Sequence, residues 1–172
     1  QCNAVVTYTI PIAGYPAPSL NYTFTGATVG SGSGTGSGAT FNKGNTTVTI
    51  TASNNCGTPT CEFTVTVNDA TKPNISCPPN ATVTANASCS GTLGAYTPVS
   101  VSDNCTANPA VTQSPASGTL LSGHNDSKTV TLTADDGNGN TQACSFTVTL
   151  KDQTKPSITC PANTTITANA SC

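Results

Sequence analysis

Cysteine is the most reactive residue type in this chain, and it occurs nine times. A thiol can bind zinc, act as a nucleophile or form a disulfide. Zinc is not favoured, because the chain has one histidine and no C-x-x-C pair. Disulfides persist outside the reducing cytosol. The cysteines therefore predict a secreted, extracellular or cell-surface protein whose small domains are braced by disulfides.

A second group of side chains has the types and spacing of a calcium loop. Asp135, Asp136, Asn138 and Asn140 place oxygens close together in the chain, mostly at alternate positions, as such loops do. No bidentate glutamate follows, and the string DDGNGN is also a good β-turn sequence. The hairpin turn is the interpretation we favour. Calcium is the alternative, and no other cofactor is expected.

Catalysis has little support in the sequence. The only histidine, His124, lies in the polar string LSGHND, and nothing distinguishes any serine or threonine as a nucleophile beside it. We therefore expect no enzyme and no catalytic residue. For ligand binding, Tyr15 and Tyr22, near Pro16 and Pro18, are the best candidates to contact a carbohydrate or a protein.

The elements that would position these residues come in a repeat of 83 residues. The stretch Cys61–Cys89 returns as Cys144–Cys172, with 20 of 29 positions identical and no gap. A repeat that keeps cysteines, prolines and alternating Thr/Val is typical of one small β-module copied in tandem. We predict three parts: 1–70 is a variant module that lacks its first strand, 71–153 is a complete module, and 154–172 is the first strand of a third.

Two explanations are open for this incomplete phase. Cys2, Cys89 and Cys172 share one repeat position, as expected for a window cut from a longer array. Alternatively, residues 154–172 could complete the first module of another chain by strand donation. A single long polypeptide is the more economical of the two.

Period-2 alternation predicts strands throughout, and no segment has helical periodicity of useful length. The predicted fold is all-β, with tandem immunoglobulin-like β-sandwich modules joined end to end and stapled by disulfides. The glycine- and serine-rich stretch 29–38 is interpreted as a long loop inside the first module. The predicted inward-facing residues are Val6, Tyr8 and Ile10; Val48, Ile50 and Ala52; Cys61, Phe63, Val65 and Val67; Leu93, Ala95, Val99 and Val101; Val130, Leu132 and Ala134; and Cys144, Phe146, Val148 and Leu150.

The disulfide pairing is inferred from the repeat. The four cysteines of the second module allow three connectivities. Because Cys61 and Cys144 occupy one repeat position, we expect each to pair locally, which leaves an assignment that uses every cysteine. The predicted pairs are Cys56–Cys61, Cys77–Cys89, Cys105–Cys144 and Cys160–Cys172, with Cys2 bonded to a cysteine upstream of the chain.

The composition excludes several partners. Lysine and arginine together number five, charged residues make up 7% and the net charge is −2, whereas a nucleic-acid-binding domain shows a basic patch. No apolar run approaches the roughly 20 residues of a membrane-spanning helix. We expect neither nucleic-acid binding nor membrane insertion.

Three motifs resemble those of hyalin repeat (HYR) domains. They are D-x-T-K-P-x-I-x-C-P at 69–78 and 152–161, S-D-N-C at 102–105, and TLTADDGNGNTQACSFTVTLKD at 131–152. The resemblance covers the second module and the 154–172 fragment, whereas the first module lacks S-D-N-C. It implies an immunoglobulin-like extracellular module associated with adhesion. Long arrays of this Thr/Asn-rich type resemble the giant surface adhesins of Bacteroidetes, which include filaments used in gliding motility.

Sequence and resemblance together favour a structural and adhesive role. We predict a repeat segment of an extracellular cell-surface filament or adhesin stalk that serves surface attachment or gliding motility. Its partners would be neighbouring modules of the same polypeptide or filament, with surface glycans or proteins as further contacts. The alternative is a carbohydrate- or protein-binding module of a secreted protein, which would need an exposed aromatic platform.

Overall fold

The computed structural model describes residues 2–168, and this range consists of β-strands and loops. The prediction of an all-β chain is confirmed. The described residues include no helix long and apolar enough to cross a bilayer. The strands are β1 Asn3–Val5, β2 Ser19–Gly26, β3 Gly30–Ser33, β4 Thr40–Asn42, β5 Gly44–Ser53, β6 Thr60–Val67, β7 Asn74–Ser76, β8 Ala81–Thr84, β9 Ser90–Thr92, β10 Ser100–Ser102, β11 Ala110–Ser114, β12 Leu120–Ser122, β13 Ser127–Asp135 and β14 Thr141–Lys151.

Strands β1–β6, hereafter the first unit, form two sheets around one core. The larger sheet has the order β3-β2-β5-β6 and is antiparallel, and the smaller pairs β1 with β4. In β5 the alternate residues Thr46, Val48 and Ile50 are at most 3% exposed, because a pleated strand sends every second side chain to the same face. The other buried side chains of this core are Phe24, Phe41 and Val65.

Strands β7–β14, hereafter the second unit, form three sheets around a separate core. The largest has the order β11-β13-β14-β8, in which β8 runs parallel to β14 and the other pairs are antiparallel. The two small sheets pair β7 with β10 and β9 with β12. This core contains ten buried hydrophobic residues against five in the first unit. The second unit therefore has the larger buried core of the two.

The predicted inward faces agree with the structure along most strands. Val130, Leu132 and Ala134 are fully buried, and the residues predicted in β14 face the same core. Three predictions are wrong, because Cys61, Ala95 and Val99 are exposed. Ala95 and Val99 lie between β9 and β10, where strand alternation does not apply, and Cys61 lies on an edge strand of the first unit.

The glycine-rich stretch is not only a loop, since its first part forms β3 and pairs with β2. Its glycines let the backbone lie against aromatic rings of the first core. At Gly36, with φ +74°, an added Cβ would come within 2.6 Å of Phe24 Cζ. Composition indicated a loop for the whole stretch, but residues 30–33 form the edge of a sheet.

Residues 152–168 contain no strand. Their sequence predicts the first strand of a third module, but a strand needs a neighbour to satisfy its backbone hydrogen bonds. Ile158 and Ile166, which would face a core, are 91% and 87% exposed. The segment has strand-like sequence but joins no sheet within the described residues.

Candidate functional site

Two disulfides occur among the described residues, and one of them joins the two units. Cys2, next to β1, is bonded to Cys105, after β10, across a sequence separation of 103 residues. Cys77, next to β7, is bonded to Cys144 in β14 across 67 residues. The first bond is an inter-unit staple, and the second braces the core of the second unit.

The predicted pairs Cys77–Cys89 and Cys105–Cys144 are therefore wrong. Strand β8 runs parallel to β14. The chain therefore passes from Cys77, which lies beside the beginning of β14, to Cys89, which lies beyond the end of β14. At about 3.3 Å per residue, this separates Cys77 from Cys89 by roughly 20 Å, far beyond disulfide reach. Cys105 bonds across the junction instead.

The predicted pair Cys56–Cys61 is also wrong, since both thiols are free and exposed. The β5–β6 hairpin is closed by a bridge between Asn54 and Gly57, so Cys56 lies at its tip. Cys61 pairs with Ile50 further along the hairpin. About four residues of extended chain, or about 13 Å, separate the two cysteines.

The remaining cysteine predictions have different outcomes. The prediction that Cys2 is bonded to a cysteine upstream of the chain is wrong, because Cys105 is its partner. Cys160 is free, and Cys172, its predicted partner, lies outside the described residues.

Polar contacts surround the inter-unit staple. Asn138, in the β13–β14 hairpin, accepts a hydrogen bond from Lys43 Nζ of the first unit at 2.7 Å through its Oδ1. Its Nδ2 donates to Asp69 Oδ2, in the linker, at 3.2 Å. The Nδ2 of Asn140 donates to the backbone carbonyl of Asp69 at 3.2 Å. The hairpin of the second unit therefore contacts both the first unit and the linker.

Asp136 organises that hairpin from a buried position, with 4% of its surface exposed. Its Oδ1 accepts from the backbone N–H groups of Asn138 and Asn140, at 2.7 and 3.0 Å, and its Oδ2 accepts from Asn140 Nδ2 at 2.7 Å. Desolvation raises the pKa of Asp136, but the hydrogen bonds from Asn140 and Asn138 outweigh it and lower the pKa to about 2. The carboxylate is therefore ionised and fully engaged.

These contacts show which groups the candidate calcium residues bind. The oxygens of Asp136 accept N–H groups, and Asp135 Oδ1 accepts from the backbone N–H of Gly137 at 2.8 Å. Calcium takes six to eight oxygen ligands, whereas the oxygens here satisfy the backbone of a tight turn. The geometry is that of the hairpin turn we favoured.

A second acidic group lies at the junction. Ligand atoms of Asp69, Asp103 and Cys105 lie within 4.8 Å of one another. The sulfur of Cys105 is part of the inter-unit staple, and metals bind the thiolate form. Asp103 Oδ1 accepts from the N–H groups of Cys105 and Thr106, at 2.8 Å each. The carboxylates of Asp69 and Asp103 are the two remaining groups of this cluster that could bind a metal ion.

The aromatic candidates separate in the structure. Tyr15 is 94% exposed, whereas Tyr22 is half-buried, with its ring centroid 4.6 Å from that of Phe24. The two do not form an aromatic platform, because one ring belongs to the core of the first unit. His124 is also used structurally, since its Nδ1 accepts the backbone N–H of Asp152 at 3.1 Å.

Sequence reasoning missed the junction between the units, where a disulfide and several side-chain hydrogen bonds lie together. Lys43 had no signal beyond its charge, and Asp103 was only part of a motif. One signal was present: a cysteine recurs at the position of Cys2 in every repeat. A disulfide from each unit to the next would require one such cysteine in every unit.

Comparison with known families gives one match, which covers the second unit. Residues 68–150 match the family model described as HYR domain, so the resemblance is confirmed for this range and the first unit lies outside it. The match indicates an extracellular adhesion-type module, and the disulfides fit an extracellular protein. No curated protein matches the chain.

Proposed function

We propose that the chain is a structural and adhesive segment of an extracellular cell-surface filament or adhesin stalk. In this proposal both units are immunoglobulin-like β-sandwiches arranged in tandem, and they serve surface attachment or gliding motility. The segment is not an enzyme. Its main partners are neighbouring modules, with surface glycans or proteins as further contacts and with neither nucleic acid nor membrane insertion.

The inter-unit staple between Cys2 and Cys105 is the observation that carries this proposal. The units are connected twice, through the linker and through the disulfide, so their relative rotation is restricted. Lys43, Asn138 and Asp69 add hydrogen bonds at the same place. A double connection of this kind suits a semi-rigid rod under tension, because length grows with copy number while each junction stays stiff.

Labelling of intact cells that produce the protein tests this function. Antibodies raised against residues 68–150 should decorate thin filaments on the cell surface in electron micrographs. Cells that lack the gene should lose the label and adhere less to a solid surface. Label found only in the culture medium, with adhesion unchanged, would contradict the proposal.

One observation favours the second candidate, a carbohydrate- or protein-binding module. Tyr15 is almost fully exposed, and a cleft of about 230 Å³ lined by residues such as Ala13, Pro18 and Asn54 lies next to the same loop. A glycan array separates the two functions. Specific binding that is lost in Tyr15→Ala and kept in Tyr22→Phe would favour the binding module over the stalk.

A further inference from the structure

The inter-unit staple closes a loop that contains the whole first unit. Cys2 lies before β1 and Cys105 lies after β10, 103 residues further along the chain, so strands β1–β6 and the linker all lie between the two bonded residues. The Cα atoms of Cys2 and Cys105 are 4.8 Å apart. A pull applied to the backbone at Cys2 therefore reaches the second unit across one disulfide, without passing through the first unit.

The other route between these two cysteines, along the backbone, is much longer. An extended chain spans about 3.3–3.6 Å per residue, so the residues enclosed by the staple would reach roughly 350 Å if they were unfolded and pulled straight. The disulfide holds the ends of this loop together whether the first unit is folded or unfolded. Unfolding of the first unit therefore releases no length between Cys2 and Cys105.

Tension that crosses the staple enters the second unit at the end where the β13–β14 hairpin lies. Thr106, next to Cys105, donates a hydrogen bond from its Oγ1 to the backbone carbonyl of Asp136 in this hairpin, at 2.7 Å. Strand β14 begins after the hairpin and ends at Lys151, where the chain leaves the second unit. The pull between Cys105 and Lys151 is therefore directed along β14.

Strand β14 is held on both sides against such a pull. It pairs with β13 over residues 141–149 and with β8 over residues 148–151. Because the hydrogen bonds of an antiparallel pair lie perpendicular to the strands, a pull along β14 loads its ladder with β13 as a whole rather than one bond at a time. The Cys77–Cys144 bond, hereafter the core disulfide, also ties β14 to the residue next to β7. These are the features of a load-bearing module.

We propose that tension along this chain passes from Cys2 through the inter-unit staple into the second unit, and that the first unit and the linker carry no load. The first unit then keeps its folded surface, including the exposed Tyr15, while the second unit is stretched. This route uses only bonds among the described residues, so it holds for any load that reaches Cys2 through the backbone. The proposal rests on the structural role proposed above and assigns its mechanical part to one of the two units.

The two disulfides limit stretching by different amounts, which makes the route measurable. With both bonds present, the shortest covalent path from Cys2 to Cys144 crosses the staple, follows residues 77–105 and crosses the core disulfide, which allows roughly 110 Å. Without the staple, the path follows residues 2–77 and allows roughly 270 Å. Without the core disulfide, it follows residues 105–144 and allows roughly 140 Å.

The test is single-molecule stretching of the full oxidised chain, held at its two termini. In the parent chain, serine replaces the cysteines outside the two disulfides, which are Cys56, Cys61, Cys89, Cys160 and Cys172. Removing the staple with Cys2→Ser and Cys105→Ser should lengthen the maximum extension by roughly 160 Å. Removing the core disulfide with Cys77→Ser and Cys144→Ser should lengthen it by only roughly 30 Å. A staple variant that stretches no further than the parent would overturn the proposal.

Matched core variants test whether the first unit is unloaded while it is folded. Val48 in β5 and Val130 in β13 are fully buried, and each lies opposite the phenylalanine of the following strand, Phe63 or Phe146. In the parent, Val130→Ala should lower the unfolding force, whereas Val48→Ala should leave the force–extension trace unchanged. In the staple variant, Val48→Ala should lower or abolish an unfolding step of the first unit that the parent lacks.

The opposite result in the parent contradicts the proposal. A lower unfolding force in Val48→Ala, or an unfolding step of the first unit in the parent trace, would show that the first unit carries load. The expectation for the parent is the same if Val48→Ala unfolds the first unit altogether, because the loop is closed by the staple in either state. Stretching of purified molecules does not decide surface labelling, so failure here and failure of the structural role can be told apart.

Discussion

The two units share a framework and differ at one edge. Each has the long hairpin of β5–β6 or β13–β14, and each packs a tyrosine edge-on against the phenylalanine of its last strand, Tyr8 on Phe63 at 4.9 Å and Tyr96 on Phe146 at 5.0 Å. In the second unit β7, β8 and a disulfide close the outer edge. Among the described residues, the corresponding strand β6 is hydrogen-bonded only to β5, and Cys61 is free.

The difference shows that a cysteine's repeat position does not decide its bonding state. Cys61 and Cys144 occupy the same place in the same strand, and among the described residues only Cys144 has a covering strand that carries a partner. The bond depends on the neighbouring strand rather than on the local sequence. Predictions that treat the two cysteines as equivalent are therefore the ones that the structure corrects.

The largest difference between the units should appear when the core disulfide is removed. Cys77→Ser should destabilise the second unit by about 2–4 kcal/mol, because the bond closes a long loop in the unfolded chain. Cys61→Ser, at the repeat position of Cys144, should change the first unit by less than about 0.5 kcal/mol, as expected for an exposed free residue. Urea unfolding without reductant measures both, and equal effects would break the comparison.

A smaller effect should come from the glycine-rich stretch 29–38, which only the first unit has. Gly36→Ala should cost about 1–3 kcal/mol more than Gly34→Ala, because only the first meets the Phe24 ring. Both glycines have positive φ, at +74° and +88°, so the backbone strain is similar and the difference isolates the clash. Thermal unfolding measures it, and equal losses would mean that the backbone at Gly36 does not pack on the ring.

Acid should act on the hairpin of the second unit and spare that of the first. Asp136 has its pKa lowered to about 2, against about 3.9 for an unfolded aspartate. Its contribution to stability is therefore complete above about pH 4 and is lost as the pH falls towards 2, because the unfolded chain binds the proton first. In the first unit the neutral Asn54 caps the turn by accepting the N–H of Cys56.

Asp136→Asn should flatten the stability of the second unit between pH 5 and pH 2, while Asp135→Asn serves as the control in the same turn. Urea midpoints across this range are the measurement. An unchanged slope in Asp136→Asn would show that the buried carboxylate does not titrate with folding.

The smallest expected effect concerns the junction itself. Asn138→Ala removes hydrogen bonds to Lys43 and Asp69 and should weaken the junction by about 1 kcal/mol. The inter-unit staple should then be about fivefold easier to reduce in a glutathione buffer. Gln142→Ala, exposed on β14, should leave the redox equilibrium unchanged, and a matching change there would remove the role given to Asn138.

The sequence predicted the strands well, but it predicted the loops and the disulfide pairs poorly. Alternation identified Val130, Leu132 and Ala134 as core, because one-sided burial imposes a period of two. It failed at Val99 and Ala95, since a loop has no such period. The composition of 29–38 predicted a loop and could not show that Gly36 is required by a ring from another strand. Local sequence carries no record of contacts made across the sheet.

The disulfides show the same limit. The interpretation of braced units relied on a Cys77–Cys89 bond, which the structure replaces with Cys77–Cys144. The second unit is still braced, and the Cys2–Cys105 bond adds a connection between units that elimination within one module could not find. The candidate calcium residues were located correctly in a hairpin, but their role at the junction depends on Lys43 and Asp69, which are distant in sequence.

Disulfide mapping of the non-reduced chain tests the central claim that the units are joined by a bond outside the linker. Proteolysis must cut between Cys77, Cys89 and Cys105, followed by mass spectrometry of the linked peptides. The structure predicts one peptide pair containing Cys2 with Cys105 and another containing Cys77 with Cys144. Recovery of Cys77 with Cys89 and of Cys105 with Cys144 would contradict it and leave the units tied by the linker alone.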